Sequence, residues 1–287
     1  MTPYEERMKV IENIGTAVSD GDLFRKAELF DPVITAEDIK RVIEPFDTAR
    51  RKPINKIKAR IARGIAESET RKRNTRTVIV GLENALSVEG GALITQNHFS
   101  IMDNTIARLL AMKCGRRRTF DIVIQETNVF MTGFFGFLMK NCYTLPVSRS
   151  ASYMARNLKP TIKQRLDDGH FVLIYPEQEL WFNYKKPRDA REGAYHYAAE
   201  FMKPIIPTFV TMENTDEIGE DGFYVQRHTL HVMDPIYPDP QKTVRENRDE
   251  MRERDLQLKR KCYEQTYGIT LDPVFVPERD IAGYPQK

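Results

Sequence analysis

The sequence predicts an α/β fold: a largely parallel or mixed central sheet, flanked by helices and preceded by a helical N-terminal extension. Two observations support this prediction. From Thr77 onward, seven short runs of β-branched and apolar residues follow one another, and helix-like segments separate many of them. Strands that alternate with helices are typical of a covered, mostly parallel sheet. Before Thr77 the chain is polar and helical in character, and it contains no strand-like run.

Each predicted strand is a short apolar run. The seven runs are TVIVGLE, GALITQN, FDIVIQE, TLPVSR, FVLIYP, IIPTFVTM and YVQRHTLHVMD. The residue pattern predicts helices over 103–113, 151–168, 190–202 and 241–267, and the last of these is expected to be charged and mostly exposed. No helix separates the last two strands, so we expect that pair to be antiparallel.

The composition is that of a folded globular chain. Its 287 residues are 41% hydrophobic and 30% charged, with a net charge of +3, which excludes a disordered or fibrous protein. Cys114, Cys142 and Cys262 form no CxxC pair and cannot all pair within one chain, so we expect reduced thiols. The longest apolar stretch, 129–147, is interrupted by a lysine, glycines and a proline, and is too broken to span a bilayer. The N-terminus lacks an export pattern.

Residues 50–76 are strongly basic. They include eleven Lys or Arg against two Glu, while Ile54, Ile57, Ile61 and Ile65 recur at helical spacing on one face. An apolar stripe opposite a basic face is typical of a helix that lies on anionic lipid. The alternative is an ordinary helix that packs the isoleucines onto the core. Nucleic-acid binding is not expected, because the usual aromatic and glycine signatures are missing.

His98 and Asp103 are the candidate catalytic residues. Histidine is the natural general base near neutral pH, and a carboxylate can fix its tautomer and stabilise the imidazolium. GALITQN is a predicted strand and DNTIARLLAM the helix after it, so His98 is expected at a strand-to-helix turn, where α/β sheets place their sites. The alternative is that Asp103 only caps its helix and His98 only lines a loop.

The sequence around this pair resembles a known family. NHFSIMD fits the NHxSxxD signature of the glycerolipid acyltransferases. Further blocks resemble those of the family in the same order: GFFGFLMKNCYTLPVSR, VLIYPEQEL and EGAYHYAAEFMKPIIPTFV. The resemblance covers roughly residues 77–235. It implies an acyltransferase α/β domain with a C-terminal helix over 76–287, after a helical, basic extension over 1–75.

The resemblance implies a role for each matched residue. His98 would be the general base that takes a proton from an acceptor hydroxyl, and Asp103 would orient it. Glu177 would hold the acceptor hydroxyl, and Arg149 would bind an acceptor phosphate. The other expected substrate-binding residues are Asn97, Ser100 and Gln178.

The implied reaction moves a fatty acyl group from an acyl thioester to a hydroxyl of a lysophospholipid or related lipid acceptor. The donor would be acyl-CoA or acyl carrier protein, and because a thioester is already activated we expect no metal and no further cofactor. Backbone N–H groups near the start of the helix after Phe99 are expected to bind the oxyanion. The expected location is cytoplasmic, in peripheral contact with anionic lipid on the inner face of the membrane.

The third block departs from the F-P-E-G-T-R of the family, because Gln178, Glu179 and Leu180 replace its last three residues. The change removes a glycine and an arginine and adds a negative charge, which counts against a phosphorylated acceptor. The cations that follow, and that could restore positive charge, are Lys185, Lys186, Arg188 and Arg191. The alternatives are a neutral or cationic acceptor, and a catalytically degenerate lipid-binding or thioester-binding protein of the same fold.

Two apolar features have two interpretations each. Trp181 either contacts substrate or, as we favour, is a core residue. FMTGFFGFLM either forms a wall for the acyl chain, where Gly133 and Gly136 allow close approach, or is an ordinary buried helix. Rival hydrolases are disfavoured: His228 and His231 are three apart on a predicted strand and so face opposite ways, and no GxSxG motif is present.

Overall fold

A computed structural model describes residues 1–29 and 32–285. Within these residues, seven strands form one sheet in the order β1-β7-β6-β2-β5-β3-β4. The strands are β1 (Val78–Val80), β2 (Ala92–Thr95), β3 (Phe120–Gln125), β4 (Thr144–Val147), β5 (Phe171–Ile174), β6 (Ile205–Ile218) and β7 (Tyr224–Val232). Each lies within or overlaps one of the seven predicted runs. The predicted α/β class is therefore confirmed.

The sheet is mixed in the way the sequence indicates. β6, β2, β5, β3 and β4 are parallel neighbours in that order. The last pair, β6 and β7, is antiparallel as predicted, and β1 runs parallel to β7 at the sheet edge. The carboxyl ends of β2, β5, β3 and β4 therefore meet along one edge of the sheet, the usual place for a site in such folds.

The helices cover both the predicted segments and several that were not predicted. They are α1 (Pro3–Ser19), α2 (Ala36–Asp38), α3 (Phe46–Arg50), α4 (Pro53–Arg73), α5 (Leu82–Leu86), α6 (Asn104–Lys113), α7 (Gly133–Asn141), α8 (Ala151–Tyr153), α9 (Lys159–Asp167), α10 (Gly193–Phe201), α11 (Val244–Tyr267) and α12 (Pro277–Asp280). A 3₁₀ turn spans Glu126–Phe130, and π-helical turns span Ile39–Ile43 and Met154–Leu158. In the part of the chain that is described, no helix is long and apolar enough to cross a membrane.

The core lies between the sheet and its helices. All four residues of β2 are buried, and α6 packs Ile106 and Leu110 into the same cluster. A second cluster forms where the apolar face of α1 packs against Trp181 and Ile281. Trp181 is fully buried, and its indole N–H donates to the Arg25 carbonyl at 2.8 Å. The core interpretation of Trp181 is therefore confirmed.

The charged helix α11 is less exposed than its sequence indicates. It buries Asp255 and Lys259, one turn apart, and their side chains pair at 2.9 Å. Asp255 also accepts hydrogen bonds from the Thr95 hydroxyl, at 3.0 Å, and from the Tyr195 hydroxyl. Charged residues can be buried here because each is paired and hydrogen-bonded. The prediction of a mostly exposed helix is therefore wrong for the face of α11 that carries Asp255 and Lys259.

The isoleucine stripe of α4 faces outward over most of its length. Ile54, Ile57 and Ile61 are each more than half exposed, whereas Ile65 packs beside Leu138 of α7. The core-packing alternative is therefore wrong for three of the four isoleucines. The three exposed isoleucines form an apolar stripe on a basic helix, and an exposed apolar patch often marks a site of interaction with a membrane or another molecule.

Candidate active site

His98 and Asp103 lie in the turn between β2 and α6, as predicted. His98 Nδ1 lies 2.8 Å from Asp103 Oδ2. The Asp103 side chain is fully buried, while that of His98 is 20% exposed. The buried carboxylate therefore holds one ring nitrogen of a histidine whose ring still reaches the surface. The other nitrogen, Nε2, contacts no hydrogen-bonding partner among the described residues.

Asp103 organises its own turn. It precedes α6 but makes no capping hydrogen bond to that helix, so the capping alternative is wrong. Instead Oδ2 also accepts from the backbone N–H groups of Phe99 and Ser100, at 2.8 and 3.1 Å. These two amides are therefore unavailable to an oxyanion, and the expectation that amides near the start of α6 bind it stays a prediction. The Ile101 amide, in the same turn, donates to no described residue.

Tyr175 completes the surroundings of the pair. Its hydroxyl donates to Asp103 Oδ1 at 2.5 Å, and its ring stacks on His98 with centroids 4.0 Å apart. Burial, and next the negative charge of Asp103, raise the pKa of Tyr175 well above its usual value, so the hydroxyl stays neutral and remains a donor. Tyr175 reaches Asp103 because β5 is the parallel neighbour of β2. Sequence reasoning missed this contact, which joins residues 72 positions apart.

Glu177 is buried in a network with Arg188. Its Oε2 accepts from the Arg188 guanidinium, at 3.0 Å from Nη2, and from the His98 backbone N–H at 3.2 Å. Its Oε1 accepts from the Arg188 backbone N–H at 3.1 Å. Both carboxylate oxygens are thus occupied. The arrangement ties the loop after β5 to the His98 turn, and the predicted contact of Glu177 with an acceptor hydroxyl stays a prediction.

The four cations that follow the third block, which could have bound a phosphate, all contact groups of the protein itself. Arg188 lies over the Trp181 ring and is held by Glu177. Lys186 is buried and pairs with Asp280 at 3.0 Å and with Asp272 at 3.1 Å. The remaining two cations lie over aromatic rings, Lys185 over Tyr267 and Arg191 over Phe24. Lys186 and Arg188 are therefore committed to buried carboxylates and are not free to bind a phosphate.

The other three predicted substrate-binding residues lie near the His98 turn and have different contacts. The Asn97 side-chain amide forms two hydrogen bonds with the Val210 backbone, at 2.8 and 3.0 Å, which fixes the turn to β6. The Ser100 hydroxyl accepts from the Met102 amide at 3.3 Å. Gln178 is exposed and has a φ of 63°, a left-handed conformation that favours glycine. Their substrate contacts stay predictions.

Arg149 lies at the same edge of the sheet but further along it. It follows β4, three strands from β2, or roughly 14 Å at ordinary strand spacing. Its side chain is 69% exposed, and Nε donates to the buried Glu126 carboxylate at 2.8 Å. Between the two ends, the Gln125 amide donates to Glu179 at 2.8 Å. The edge therefore carries the carboxylates of Glu126 and Glu179 as well as the exposed Arg149.

An open groove of about 530 Å³ lies between α7 and the helices α3 and α4. Met131, Gly133, Gly136 and Phe137 of the FMTGFFGFLM run line it, but the neighbouring Phe134 and Phe135 are exposed. The run is thus the wall of a groove and is not an ordinary buried helix. An acyl chain as its occupant stays a prediction.

The two strand histidines face different surroundings, as alternation along β7 predicts. His228 packs on Phe99, with ring centroids 5.4 Å apart, and burial lowers its pKa. The His231 ring bonds the Thr211 hydroxyl at 3.0 Å. Within residues 1–29 and 32–285, no three His, Cys, Asp or Glu side chains are grouped as a metal site requires.

Comparison with known proteins supports the fold. No curated protein matches the chain. Among solved structures, the 1-acyl-sn-glycerophosphate acyltransferase of Thermotoga maritima matches with a TM-score of 0.52 and 14% identity, over 91% of this chain and 100% of that chain. At this identity the likeness supports the fold alone. Residues 73–211 match the family model described as Acyltransferase.

Residues 73–211 therefore form a region of the acyltransferase family. The range matched by the family model contains His98, Asp103, Arg149 and Glu177. The protein is thus an acyltransferase.

Replacing Tyr175 by phenylalanine should lower kcat of this acyltransferase about tenfold, because Asp103 loses the hydroxyl that holds its Oδ1 and His98 is then oriented less well. Initial rates with a saturating acceptor measure the loss. Tyr195→Phe is the matched control, since it removes another buried tyrosine–aspartate hydrogen bond, away from His98, and should leave kcat unchanged. An unchanged kcat in Tyr175→Phe would contradict the expectation.

Proposed function

We propose that the protein transfers a fatty acyl group from acyl-CoA or acyl carrier protein to a hydroxyl of a lysophospholipid or related lipid, with His98 as general base. The observation that carries the proposal is the 2.8 Å contact between His98 Nδ1 and the buried Asp103. A carboxylate on Nδ1 favours the tautomer in which Nε2 is free to accept a proton. Nε2 is the nitrogen that has no described partner.

The reaction then needs few groups from the protein. His98 Nε2 takes the proton of the acceptor hydroxyl as its oxygen attacks the thioester carbonyl, and Asp103 stabilises the imidazolium. The tetrahedral intermediate collapses, the C–S bond breaks, and the thiolate takes the proton from His98. The products are an ester and a free thiol. The Ile101 amide, free in this turn, is the candidate donor to the oxyanion.

A lipid without a phosphate monoester is a second candidate acceptor, and the charges at the sheet edge favour it. Glu179 adds a carboxylate at the sheet edge, and the nearby Lys186 and Arg188 are held by other carboxylates. Among the described residues there, the exposed Arg149 already pairs with Glu126, and the exposed Arg191 lies over the Phe24 ring. With Lys186 and Arg188 committed and Glu179 added, a doubly charged phosphate would meet less positive charge than the sequence suggests, which favours a neutral or cationic lipid.

Release of free thiol, measured with a panel of acceptors, tests the reaction and chooses between these acceptors. Long-chain acyl-CoA and acyl carrier protein should each be tested with phosphorylated glycerolipids, neutral glycolipids and amino-lipids. Acceptor-dependent release is the expected result, and the lipid that supports it identifies the acceptor class. Binding of the thioester without release under any acceptor would instead support the degenerate, non-catalytic alternative.

We also propose that α4 and the start of α7 lie on anionic lipid at the inner face of the membrane. Ile54, Ile57 and Ile61 are exposed on a basic helix, and Phe134 and Phe135 are exposed on the helix that packs beside it. Apolar side chains would enter the lipid interface while the basic residues meet acidic headgroups.

Replacing Ile57 by serine should weaken binding to vesicles rich in phosphatidylglycerol about tenfold, because one buried isoleucine contributes roughly 1.5–3 kcal/mol. Vesicle sedimentation at low salt measures this, and added salt should release the wild-type protein. Ile218→Ser is the matched control, since Ile218 is similarly exposed but lies on β6. Equal losses in the two variants, or no vesicle binding by the wild type, would confine residues 50–76 to a structural role.

A further inference from the structure

The groove between α7 and the helices α3 and α4 is lined by apolar side chains and by cations. Its apolar lining includes Val42 and Phe46 on one side and Val129 and Phe137 on the other. Its volume, about 530 Å³, lies within the range of small-molecule sites. The groove therefore has the size and apolar character to take part of a lipid.

Every charged side chain that lines the groove is a cation. The four are Arg41, Arg50, Lys58 and Lys140, and no Asp or Glu is among the described lining residues. Arg41 pairs with Asp38 at 2.8 Å. Lys58 and Lys140 are exposed and form no ion pair with a described residue. The local field therefore favours an anion.

Arg50 is the most constrained of these cations. It donates one hydrogen bond, to the Thr144 carbonyl at 2.6 Å, and lies over the Phe46 ring. Burial lowers its pKa, an effect that the charges of Asp121 and Asp47 oppose, although Arg50 forms no ion pair within 4 Å with a described carboxylate. A guanidinium has five N–H donors, so most of its hydrogen-bonding capacity is unused by side-chain carboxylates.

We propose that this groove binds one acidic phospholipid, with its phosphate among Arg50, Lys58 and Lys140 and an acyl chain along the apolar walls. The helices that form the groove, α4 and α7, also carry the exposed Ile57, Ile61, Phe134 and Phe135. The groove is therefore formed by the same helices for which membrane contact is proposed above, and the inference rests on that contact for the source of the lipid.

The mixture of cations and apolar side chains favours a phospholipid over the acyl donor. In a phospholipid the phosphate lies only a few bonds from the acyl esters, so one short groove can hold both. In acyl-CoA or acyl carrier protein the pantetheine arm separates the acyl chain from the nearest phosphate. A site for such a donor would place its cations at a distance from its apolar walls.

Calorimetric titration with monomeric dihexanoyl lipids tests the proposal without depending on turnover. The wild-type protein should bind dihexanoyl phosphatidylglycerol at least about tenfold more tightly than dihexanoyl phosphatidylcholine. The variant Lys58→Glu/Lys140→Glu should lose at least about tenfold in affinity for the acidic lipid. The matched control is Lys56→Glu/Arg60→Glu, which makes the same charge change on exposed positions of α4 outside the groove lining and should bind like the wild type.

Four outcomes would overturn the proposal. They are no binding by the wild type, unchanged affinity in the groove variant, equal losses in both variants, and binding of inorganic phosphate as tight as that of the acidic lipid. The last would indicate a simple anion site. His98→Ala should bind the acidic lipid normally, so a failure of this site and a failure of the catalytic proposal are distinguishable.

Discussion

Replacing His98 by alanine should lower kcat for acyl transfer by about 10²–10⁴-fold, the usual contribution of a general base. The acceptor hydroxyl would then have to lose its proton to water in the transition state. The protein should still fold, because the Asp103 carboxylate keeps three of the four hydrogen bonds that it accepts, from Phe99, Ser100 and Tyr175. Free-thiol release with the best acceptor, together with the urea unfolding midpoint, measures both effects.

His196→Ala is the control for this prediction. His196 lies on α10, is 46% exposed and pairs with Glu200, so its loss should change kcat little. Retention of wild-type turnover by a folded His98→Ala protein would show that another group deprotonates the acceptor. A loss of turnover that accompanies unfolding would not support the assignment, and the unfolding midpoint separates these cases.

Replacing Arg188 by methionine should lower the free energy of unfolding by about 3–5 kcal/mol, because it leaves the buried Glu177 without its cation. Burial itself lowers the pKa of Arg188, an effect that Glu177 opposes, so each charge is tolerable only beside the other. Activity should fall as well, since Glu177 also accepts from the His98 backbone. Urea unfolding monitored by the fluorescence of Trp181 measures the loss.

The double variant Glu177→Gln/Arg188→Met tests whether the unpaired charge of Glu177 causes this loss of stability. Removing both charges should restore much of the stability that the single change loses, because no unpaired buried charge remains. Arg260→Met is the surface control: it breaks an exposed pair with Glu264 and should change stability by less than about 1 kcal/mol. A similarly small loss in Arg188→Met would show that Glu177 is not held as the structure indicates.

The sheet could be predicted from the sequence because its strands are local signals. Each strand is a short β-branched or apolar run between turns, and the missing helix between β6 and β7 identifies the antiparallel pair. The His98–Asp103 turn is local too, since five positions on a strand-to-helix turn lie close in space. Tertiary structure was not needed for either prediction.

The rest of the site depends on contacts between distant residues. Tyr175 reaches Asp103 only because β5 lies beside β2, and no pattern in one sequence gives that neighbour relation. Arg188 appeared as a free cation after the third block, but folding returns it to Glu177 in a buried pair. Helix α11 likewise hides Asp255 and Lys259, because a charged sequence does not reveal which charges find partners inside.

The transfer of a labelled acyl group from its thioester to a lipid hydroxyl tests the central claim most directly. In a single reaction, labelled ester and free thiol should form in equal amounts with the wild-type protein, and both should fall together in His98→Ala. Thiol that forms without labelled ester, or equal ester formation by the folded His98→Ala variant, would contradict a His98-catalysed acyl transfer.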